Sequence, residues 1–574
     1  MFKHWEINTH RKLFYRPTSQ LTNYFRHTLR ADLGAGLTVA IVAVPQSMAY
    51  AAIAGLNPIY GLYTAIFPAI AAALFGSSRH LVTGPTNSIA LTTAGVLVFL
   101  SGRPNYIEFV FALAITSGVV KLLLGVLNLG GIVRYVSNSV LTGFLAGAGV
   151  LIIIHQANSL LGIPRAEGAG TLAILEDIFR HLSHTNLFAL ATGAFTIGVL
   201  FLSRRFQKGL PSALLSIVLA GALVQLTGWG ERGVQLVGGL STATKLGVAF
   251  HLPQVTLQDA NILLTGAGAV ALLSLVEAMS VAKAIGLHTG QYIQPSREFI
   301  GQGIASILGG FFQCMPSSGS PSRSAVNLSS GAQTRLAAAF SGLFVLLAIL
   351  AFSKLIGYIP IASLAGVVML SALQMIDWHH IGLTWRSRSV SRLVLGVTFM
   401  ATLLLPLHWA IYLGALLSIG IYLYESSHLQ LTYLKVNPSG GVSEYELQDV
   451  LRERPSLAII NVEGALYFGA ADDLERHLEE VFQAGVKVVI LRMRRTRLLA
   501  STGVTALENL AMRANQAGVS VLICGLSENA EKTLNAAGIE NLIGDQQTFL
   551  ATHTLFESTH KALQRAREMV RQDP

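Results

Sequence analysis

The chain has 574 residues, a formal net charge of +10 and only 12% charged residues, against 52% hydrophobic residues. A soluble globular domain carries about 25% charged residues, so this composition excludes an ordinary soluble protein over most of the length. The positive charge does not by itself indicate a nucleic-acid partner, because basic residues also accumulate beside membrane-spanning segments.

Residues 1–30 form a basic N-terminal segment that we predict to be cytoplasmic. The following residues 33–78 contain no Asp, Glu, Lys or Arg. A helix needs about 20 apolar residues to cross a bilayer, so this stretch predicts two crossings rather than a cleavable signal peptide. Continued in this way, residues 31–426 contain fourteen predicted membrane segments, centred near 43, 67, 92, 117, 149, 194, 219, 272, 306, 326, 346, 368, 399 and 416.

The basic residues between these segments predict the orientation of the chain. With fourteen crossings and the N-terminus inside, the inner connections contain Arg79, Arg134, Arg204, Arg205, Lys208, Lys283, Arg297, Arg335, Arg386, Arg388 and Arg392. The outer connections contain Arg103, Arg165, Arg180, Arg232, Lys245 and Lys354. The inner excess is typical of membrane proteins and predicts a multi-pass protein of the cell inner (plasma) membrane with both termini cytoplasmic.

Two polar, glycine-containing breaks interrupt the apolar segments. The first break is Thr83–Ser88 and the second break is Ser317–Ser324. Each precedes a helix-compatible run, and the start of a helix carries free N–H groups and roughly half a positive elementary charge. The second break adds Arg323. Two such helix starts and one arginine predict an anion site inside the bilayer.

The spacing of these features also predicts an internal repeat. Pro45 lies in the first segment and Gly84 in the third, whereas Glu277 lies in the eighth and Arg323 in the tenth. Seven segments separate the two sets, and an odd number inverts the second half relative to the first. Inverted repeats with broken helices at the midplane are typical of secondary transporters.

Glu277 is an isolated acid within the eighth segment. Ionisable side chains inside membrane segments usually have a function. Our hypothesis is that Glu277 gains a proton as the anion binds, which would couple uptake to H⁺, and the competing hypothesis is that it coordinates Na⁺. We interpret His155 and His408 as packed membrane histidines.

The composition changes after about residue 426. We predict a linker at 427–445 and a small cytoplasmic α/β domain at 446–570, because strands near 457–463, 486–491 and 519–524 alternate with helices near 472–484 and 501–517. The basic cluster Arg492–Arg497 is interpreted as a solvated loop. Cys314 and Cys524 are far apart in the sequence and are expected to be small apolar fillers, with no disulfide and no metal site.

The ordered motifs resemble those of one family. Pro45-Gln46-Ser47-Met48-Ala49-Tyr50, then Gly84-Pro85, then Gly319-Ser320-Pro321-Ser322-Arg323-Ser324, followed by an α/β domain, are similar to the sulfate permease (SulP, solute carrier 26) family with its C-terminal STAS domain. The resemblance covers about residues 25–570. In STAS domains related to sigma-factor regulators an Asp-Ser-Ser/Thr-Gly tetrad is phosphorylated on serine. Here it reads Ala500-Ser501-Thr502-Gly503, so a structural or dimer-regulating role is predicted instead.

The resemblance implies a fold of fourteen transmembrane segments in a seven-plus-seven inverted repeat. A core domain (segments 1–4 and 8–11) would hold the anion between segments 3 and 10, and a gate domain (segments 5–7 and 12–14) would stay in place, in an elevator-type homodimer. Pro321 departs from the family, where a larger apolar residue is usual, but proline suits the first turn of a helix. The predicted substrate-binding residues are Gln46, Ser47, Tyr50, Gly84, Pro85, Thr86, Asn87, Ser88, Gly319, Ser320, Ser322 and Arg323.

The resulting hypothesis is a secondary active transporter of a small oxyanion, such as sulfate, bicarbonate or a dicarboxylate, coupled to H⁺ by symport. The alternatives are a Na⁺-coupled symporter, an uncoupled exchanger or channel, and a nucleobase permease on the same fold. Arg323 and the STAS domain argue against the nucleobase permease. No cofactor is predicted, and no nucleophile–base pair or nucleotide-binding loop indicates an enzyme.

Overall fold

The structure is a computed structural model. It describes residues 24, 28–100, 102–163, 171–206, 212–238, 250–255, 260–386, 389–436, 441–466, 468–499, 501–539, 543, 547–554 and 556–572. The chain divides into two compact units, residues 1–418 and residues 419–574.

The first unit is helical. In chain order its elements are α1 (Leu29–Ile53), α2 (Pro58–Phe75), β1 (Thr83–Gly84), α3 (Asn87–Val96), α4 (Tyr106–Val126), α5 (Asn138–Leu161), α6 (Thr171–Arg180), α7 (Leu187–Phe206), α8 (Ser212–Thr227), α9 (Ala260–Thr289), α10 (Pro295–Phe311), β2 (Ser318–Gly319), α11 (Pro321–Ser329), α12 (Leu336–Gly357), α13 (Ile361–Leu373), α14 (Trp378–Arg386), α15 (Ser389–Leu404) and α16 (Leu407–Ser427). The last of these helices continues into the second unit.

Each of the fourteen predicted segment centres falls within one of these helices. Among the described residues, seven helical stretches have the length and apolar composition needed to cross a membrane, and four shorter helices are apolar as well. The segments near 92 and 326 are the short helices α3 and α11. They begin at the two breaks and have 10 and 9 residues respectively.

Helix packing separates the first unit into two groups. α1, α2 and α4 pack against α9, α10 and α12, whereas α5, α7 and α8 are associated with α13 and α15. Small residues allow close approach within the first group. At Gly61 of α2, an added Cβ would lie 1.9 Å from the carbonyl oxygen of Ser47 in α1, so no larger residue fits there. The side chains near the two breaks are therefore held between closely packed helices.

The second unit contains a six-stranded sheet. Its elements are β3 (Gln430–Val436), β4 (Val442–Glu446), α17 (Leu447–Glu453), β5 (Leu457–Leu466), α18 (Phe468–Gln483), β6 (Val488–Leu499), α19 (Ser501–Gln516), β7 (Ser520–Leu526), α20 (Glu528–Ala536), β8 (Thr548–Leu550) and α21 (Glu557–Gln572). The strand order is β4-β3-β5-β6-β7-β8, and the four strands β5 to β8 are parallel. This arrangement confirms the predicted α/β alternation.

Two local interpretations differ from the structure. The predicted linker 427–445 contains β3, which pairs with β5 in antiparallel register, so the sheet begins before residue 446. The cluster Arg492–Arg497 was wrongly interpreted as a loop, because it continues β6. Arg492 is buried there and donates to Asn461 Oδ1 at 2.8 Å, and Arg495 pairs with Glu463. Residues of the neighbouring strand thus satisfy these two arginines.

Both cysteines are free and buried. Burial raises the pKa of the Cys524 thiol to about 11, so this thiol stays protonated near neutral pH and behaves as a small apolar group.

Candidate functional site

The two breaks lie side by side. Thr83 pairs with Gly319 and Gly84 with Ser318, which makes β1 and β2 a two-stranded antiparallel sheet. The Ser320 N–H also donates to the Val82 carbonyl at 2.9 Å. Because the strands are antiparallel, the chain leaves β1 and β2 in opposite directions. The helices that follow therefore begin close together and extend away from each other.

A hydroxyl group caps each of these helices. Thr86 precedes α3 and accepts a hydrogen bond from the Ile89 N–H, while Ser320 precedes α11 and accepts one from the Arg323 N–H. α11 begins at Pro321, as proline at the first helical position allows. The remaining free N–H groups of both helix starts and their aligned peptide dipoles favour a negative charge between them.

Arg323 links the two breaks. Its side chain is 1% exposed, and Nη2 donates to the Pro85 carbonyl oxygen of the first break at 2.5 Å. The guanidinium packs against Gly84, where an added Cβ would lie 2.6 Å from Nη1. The Nε atom is buried without a hydrogen-bond partner in the described part of the chain. A full positive charge is therefore held where the helix starts meet.

Glu277 of α9 lies directly against the first break. Ser88 Oγ donates to its Oε1 at 2.8 Å, and Thr86 Oγ1 donates to its Oε2 at 3.0 Å. A hydroxyl group can donate to an ionised carboxylate or accept from a protonated one, so these two residues can solvate both states. The sequence pointed to Glu277 as a site for a coupling ion. The structure joins it to two residues predicted to bind the anion.

α1 contributes two more of the predicted residues. Ser322 Oγ donates to Gln46 Oε1 at 3.4 Å, which brings α1 to the start of α11. Tyr50 is 6% exposed and lies within electrostatic range of both Arg323 and Glu277. Ser322 itself is exposed, so its hydroxyl remains accessible beside the buried Arg323.

Two predicted residues are placed differently from the others. The Ser47 hydroxyl is buried and has no hydrogen-bond partner among the described residues. The Ser47 backbone carbonyl packs against Gly61 of α2. Asn87 directs Nδ2 towards Met375 Sδ at 3.5 Å. Neither side chain is hydrogen-bonded to Arg323 or Glu277.

Lys121 of α4 is absent from the residues predicted from the sequence. It is fully buried, and its Nζ donates to Ser306 Oγ at 2.9 Å and to the Ser317 carbonyl at 2.8 Å. Its signal in the sequence is that no other Lys or Arg occurs between Arg103 and Arg134. A basic residue isolated in an apolar segment is uncommon and usually functional.

These groups can attract an anion and hold a proton next to it. Two helix starts and one arginine can balance a charge of one or two without surrounding it with bases. Within the described residues, no group of three or more His, Cys, Asp or Glu side chains could hold a metal ion.

Comparison with known proteins shows the family of the chain. The sequence profile of the sulfate permease family matches residues 29–398, and that of the STAS domain matches residues 450–562. Sulfate transporter 4.1, chloroplastic, of Arabidopsis thaliana is 26% identical over 564 residues, covering 93% of this chain and 80% of that protein. Curated relatives are named as transporters, in agreement with the prediction that the chain is not an enzyme.

Solved structures show the same fold. The murine solute carrier 26 family member A9 anion transporter, in its inward-facing state, has a TM-score of 0.83 and 18% identity, covering 98% of this chain and 97% of that one. The transmembrane domain of the cyanobacterial bicarbonate transporter BicA has a TM-score of 0.61 and 23% identity, covering 69% of this chain and 98% of that one. The chain belongs to the sulfate permease family of multi-pass membrane transporters and has a C-terminal STAS domain.

Proposed function

We propose that this protein is a secondary active transporter that takes up a small oxyanion together with a proton. The observation that carries the proposal is the pair of hydrogen bonds from Thr86 and Ser88 to Glu277. Thr86 caps α3 and Ser88 lies in its first turn, and the N-terminus of this helix is half of the proposed anion site. A change in the charge of Glu277 therefore acts directly on the place where the anion would bind.

The hydroxyl geometry favours H⁺ over Na⁺ as the coupling ion. Sodium is a hard cation and requires several oxygen lone pairs directed at it, as other hard cations do. Thr86 and Ser88 instead place their hydroxyl oxygens 3.0 and 2.8 Å from the two carboxylate oxygens of Glu277, which is direct hydrogen-bond spacing. A proton needs only the carboxylate itself, because the resulting carboxyl group can donate to one hydroxyl while the other hydroxyl still donates to its carbonyl oxygen.

The substrate class follows from the donors at the site. The predicted binding residues offer hydroxyl, amide, guanidinium and backbone N–H groups, which suit the acceptor oxygens of an oxyanion. Sulfate and bicarbonate are the anions named for the relatives, and a dicarboxylate has the same acceptor chemistry. Gln46, Ser322 and Arg323 are the side chains that we expect to contact it.

We further propose an elevator-type movement. The group formed by α1 to α4 with α9 to α12 carries both breaks and would move as the core. The group formed by α5, α7 and α8 with α13 to α16 would be the gate, fixed in a homodimer in the cell inner membrane with both termini cytoplasmic. Each group would take helices from both halves of the predicted seven-plus-seven inverted repeat, and the antiparallel pairing of β1 from the first half with β2 from the second supports that symmetry.

The test is uptake by purified full-length protein in liposomes. Labelled sulfate, bicarbonate and fumarate are compared with and without an inward proton gradient or an inward sodium gradient. We expect the proton gradient to drive accumulation of at least one anion. Arg323→Ala should abolish this uptake, and Glu277→Gln should retain anion binding but lose accumulation. Glu231→Gln, at an exposed carboxylate, is the matched control.

The alternatives give different results in the same assay. Accumulation driven only by sodium would establish the Na⁺ symporter, and equilibration without accumulation would establish an exchanger or channel. Glu277→Gln protein that still concentrates an anion would exclude coupling at this residue. Uptake of no anion, with nucleobase uptake intact, would contradict the anion site itself.

The elevator proposal has its own test. Tyr412 Oη of α16 donates to the Thr265 carbonyl of α9 at 2.6 Å, a contact between the proposed gate and core. Cysteines at both positions, joined by a short thiol crosslinker, should stop transport while anion binding persists. The single-cysteine proteins are the controls, and unaffected transport in the joined protein would contradict movement at this contact.

A further inference from the structure

Lys121 is a buried basic side chain that contacts the start of the second break. Its Nζ bonds to Ser306 Oγ and to the Ser317 carbonyl, and the same carbonyl accepts from Ser274 Oγ at 2.9 Å. Both acceptors of Lys121 are uncharged. Removing an ammonium group from water to such a place is costly, so a structural clamp alone would be better made from a neutral side chain.

The network of Lys121 reaches the proton site. Ser274 and Glu277 are three residues apart on α9, and Ser318 Oγ donates to the Ser274 carbonyl at 3.0 Å. Ser317 and Ser318, at the start of the second break, therefore connect Lys121 to the turn of α9 that carries Glu277. Arg323 lies near the end of the same break, and its side chain donates a hydrogen bond to the Pro85 carbonyl of the first break.

Other ionisable groups on the surrounding helices have partners elsewhere or are exposed. Asp32 accepts from the N–H groups of Gln333 and Thr334, Glu298 accepts from Ser77 and Ser78, and Glu108 bonds to His251. His80 bonds to the Ala332 carbonyl. Lys283 and Arg297 are exposed, and Tyr50 is an uncharged phenol at neutral pH. Glu298 is linked to Thr83 of the first break only through Gln302. Among the described ionisable side chains, Lys121, Arg323 and Glu277 are therefore the ones that hydrogen-bond directly to residues of the two breaks.

We propose that Lys121 is a specificity-determining residue that sets the charge of the anion accepted by the site. With Glu277 ionised, the three groups sum to one positive charge, which a monovalent anion neutralises. With Glu277 protonated they sum to two positive charges, which a divalent anion neutralises. A divalent oxyanion is then bound with one proton, whereas a monovalent one is bound without it. This inference deepens the proposed function and rests on it.

Removal of the Lys121 charge should reverse the preference. In Lys121→Met, the site is neutral with Glu277 ionised and carries one positive charge with Glu277 protonated, so a divalent anion leaves one negative charge unbalanced. For a separation of about 8 Å and an effective dielectric constant of about 20, one charge changes anion affinity by roughly 30-fold. The ratio of sulfate to perchlorate affinity should fall by about that factor.

The experiment uses sulfate and perchlorate because both are tetrahedral and they differ in charge. Their affinities for purified full-length protein are measured by calorimetry between pH 5 and pH 8. Lys121→Gln, which keeps N–H donors without the charge, serves as a second variant and guards against misfolding of Lys121→Met. Ser306→Ala removes one hydrogen-bond partner but leaves the charge, so its affinity ratio should stay within threefold of the wild-type ratio.

Glu277→Gln completes the comparison. While Lys121 and Arg323 are both charged, its site keeps two positive charges, so sulfate binding should be retained and should lose the part of its pH dependence that comes from Glu277. Combined with Lys121→Met, it should prefer perchlorate at every pH. If wild-type protein binds neither anion, the proposed function itself fails. A second outcome refutes the role of Lys121 and leaves the proposed function standing. In that outcome wild-type protein binds sulfate, and the ratio of sulfate to perchlorate affinity in Lys121→Met and Lys121→Gln stays within threefold of the wild-type ratio.

Discussion

Gly84 is the position at which a single added methyl group should displace the arginine of the site. An ideal Cβ there would lie 2.6 Å from Nη1 and 2.9 Å from Nη2 of Arg323. Normal contact needs about 3.5 Å, so in Gly84→Ala the guanidinium must retreat by roughly 0.9 Å. The clash involves the end of a long side chain, so we expect the fold to persist and the position of the charge to change.

The size of the effect follows from the contacts of Arg323. Nη2 is 2.5 Å from the Pro85 carbonyl, and the retreat would take this contact beyond the range of a strong hydrogen bond. A hydrogen bond from a charged group contributes about 1.5–3 kcal/mol, and a displacement of about 1 Å can reduce rates by about 100-fold. We expect KM for the transported anion to rise by at least tenfold.

The assay is the initial rate of labelled anion uptake in liposomes, accompanied by thermal unfolding of the purified protein. Gly34→Ala in α1 is the control, because its added Cβ has no atom within 4 Å. Should Gly84→Ala show KM within twofold of the wild-type value at unchanged thermal stability, the guanidinium beside Gly84 does not position the anion.

Three further predictions concern other contacts. Ser88→Ala removes the donor at 2.8 Å from Glu277, so proton-driven accumulation should fall at least tenfold while anion affinity, measured by calorimetry, changes less than threefold. Leu474→Ala opens a cavity in the fully buried core of the STAS domain and should lower its free energy of unfolding by about 2–5 kcal/mol in denaturant titration, whereas an unchanged value would place Leu474 outside that core. A chain ending at Ser439 keeps β3 without its partner β5, so size-exclusion chromatography should show more aggregation than for a chain ending at Ser427.

The sequence predicted the features that have local signals. Long apolar runs predict helices wherever they occur, and every predicted segment centre lies in one. The breaks at Gly84 and Gly319 were recognisable because polar and glycine-rich residues interrupt such runs. The strands of the STAS domain were recognisable by their short apolar runs alternating with amphipathic helices. In each case the signal lies within about twenty neighbouring residues.

The features that the sequence did not predict depend on distant residues. Lys121 was overlooked because one charge does not alter the apolar character of its segment, and its acceptor Ser317 is 196 residues away. The direct contact of Ser88 with Glu277 spans 189 residues. Arg492 looked solvated because its partner, Asn461, lies on another strand. Pairing of this kind is set by tertiary packing, which a single sequence does not display.

The state of Arg323 suggests how the site could bind an anion and still release it. A buried donor without a partner costs about 1–3 kcal/mol, and Arg323 Nε has no partner within the described residues. In the proposed site, an oxyanion that accepts from this group would remove the cost, so part of its affinity would come from satisfying a buried donor. The Pro85 carbonyl meanwhile holds the other side of the guanidinium in place. The proposed site would then bind selectively without the dense positive charge that would retain the anion after a change of conformation.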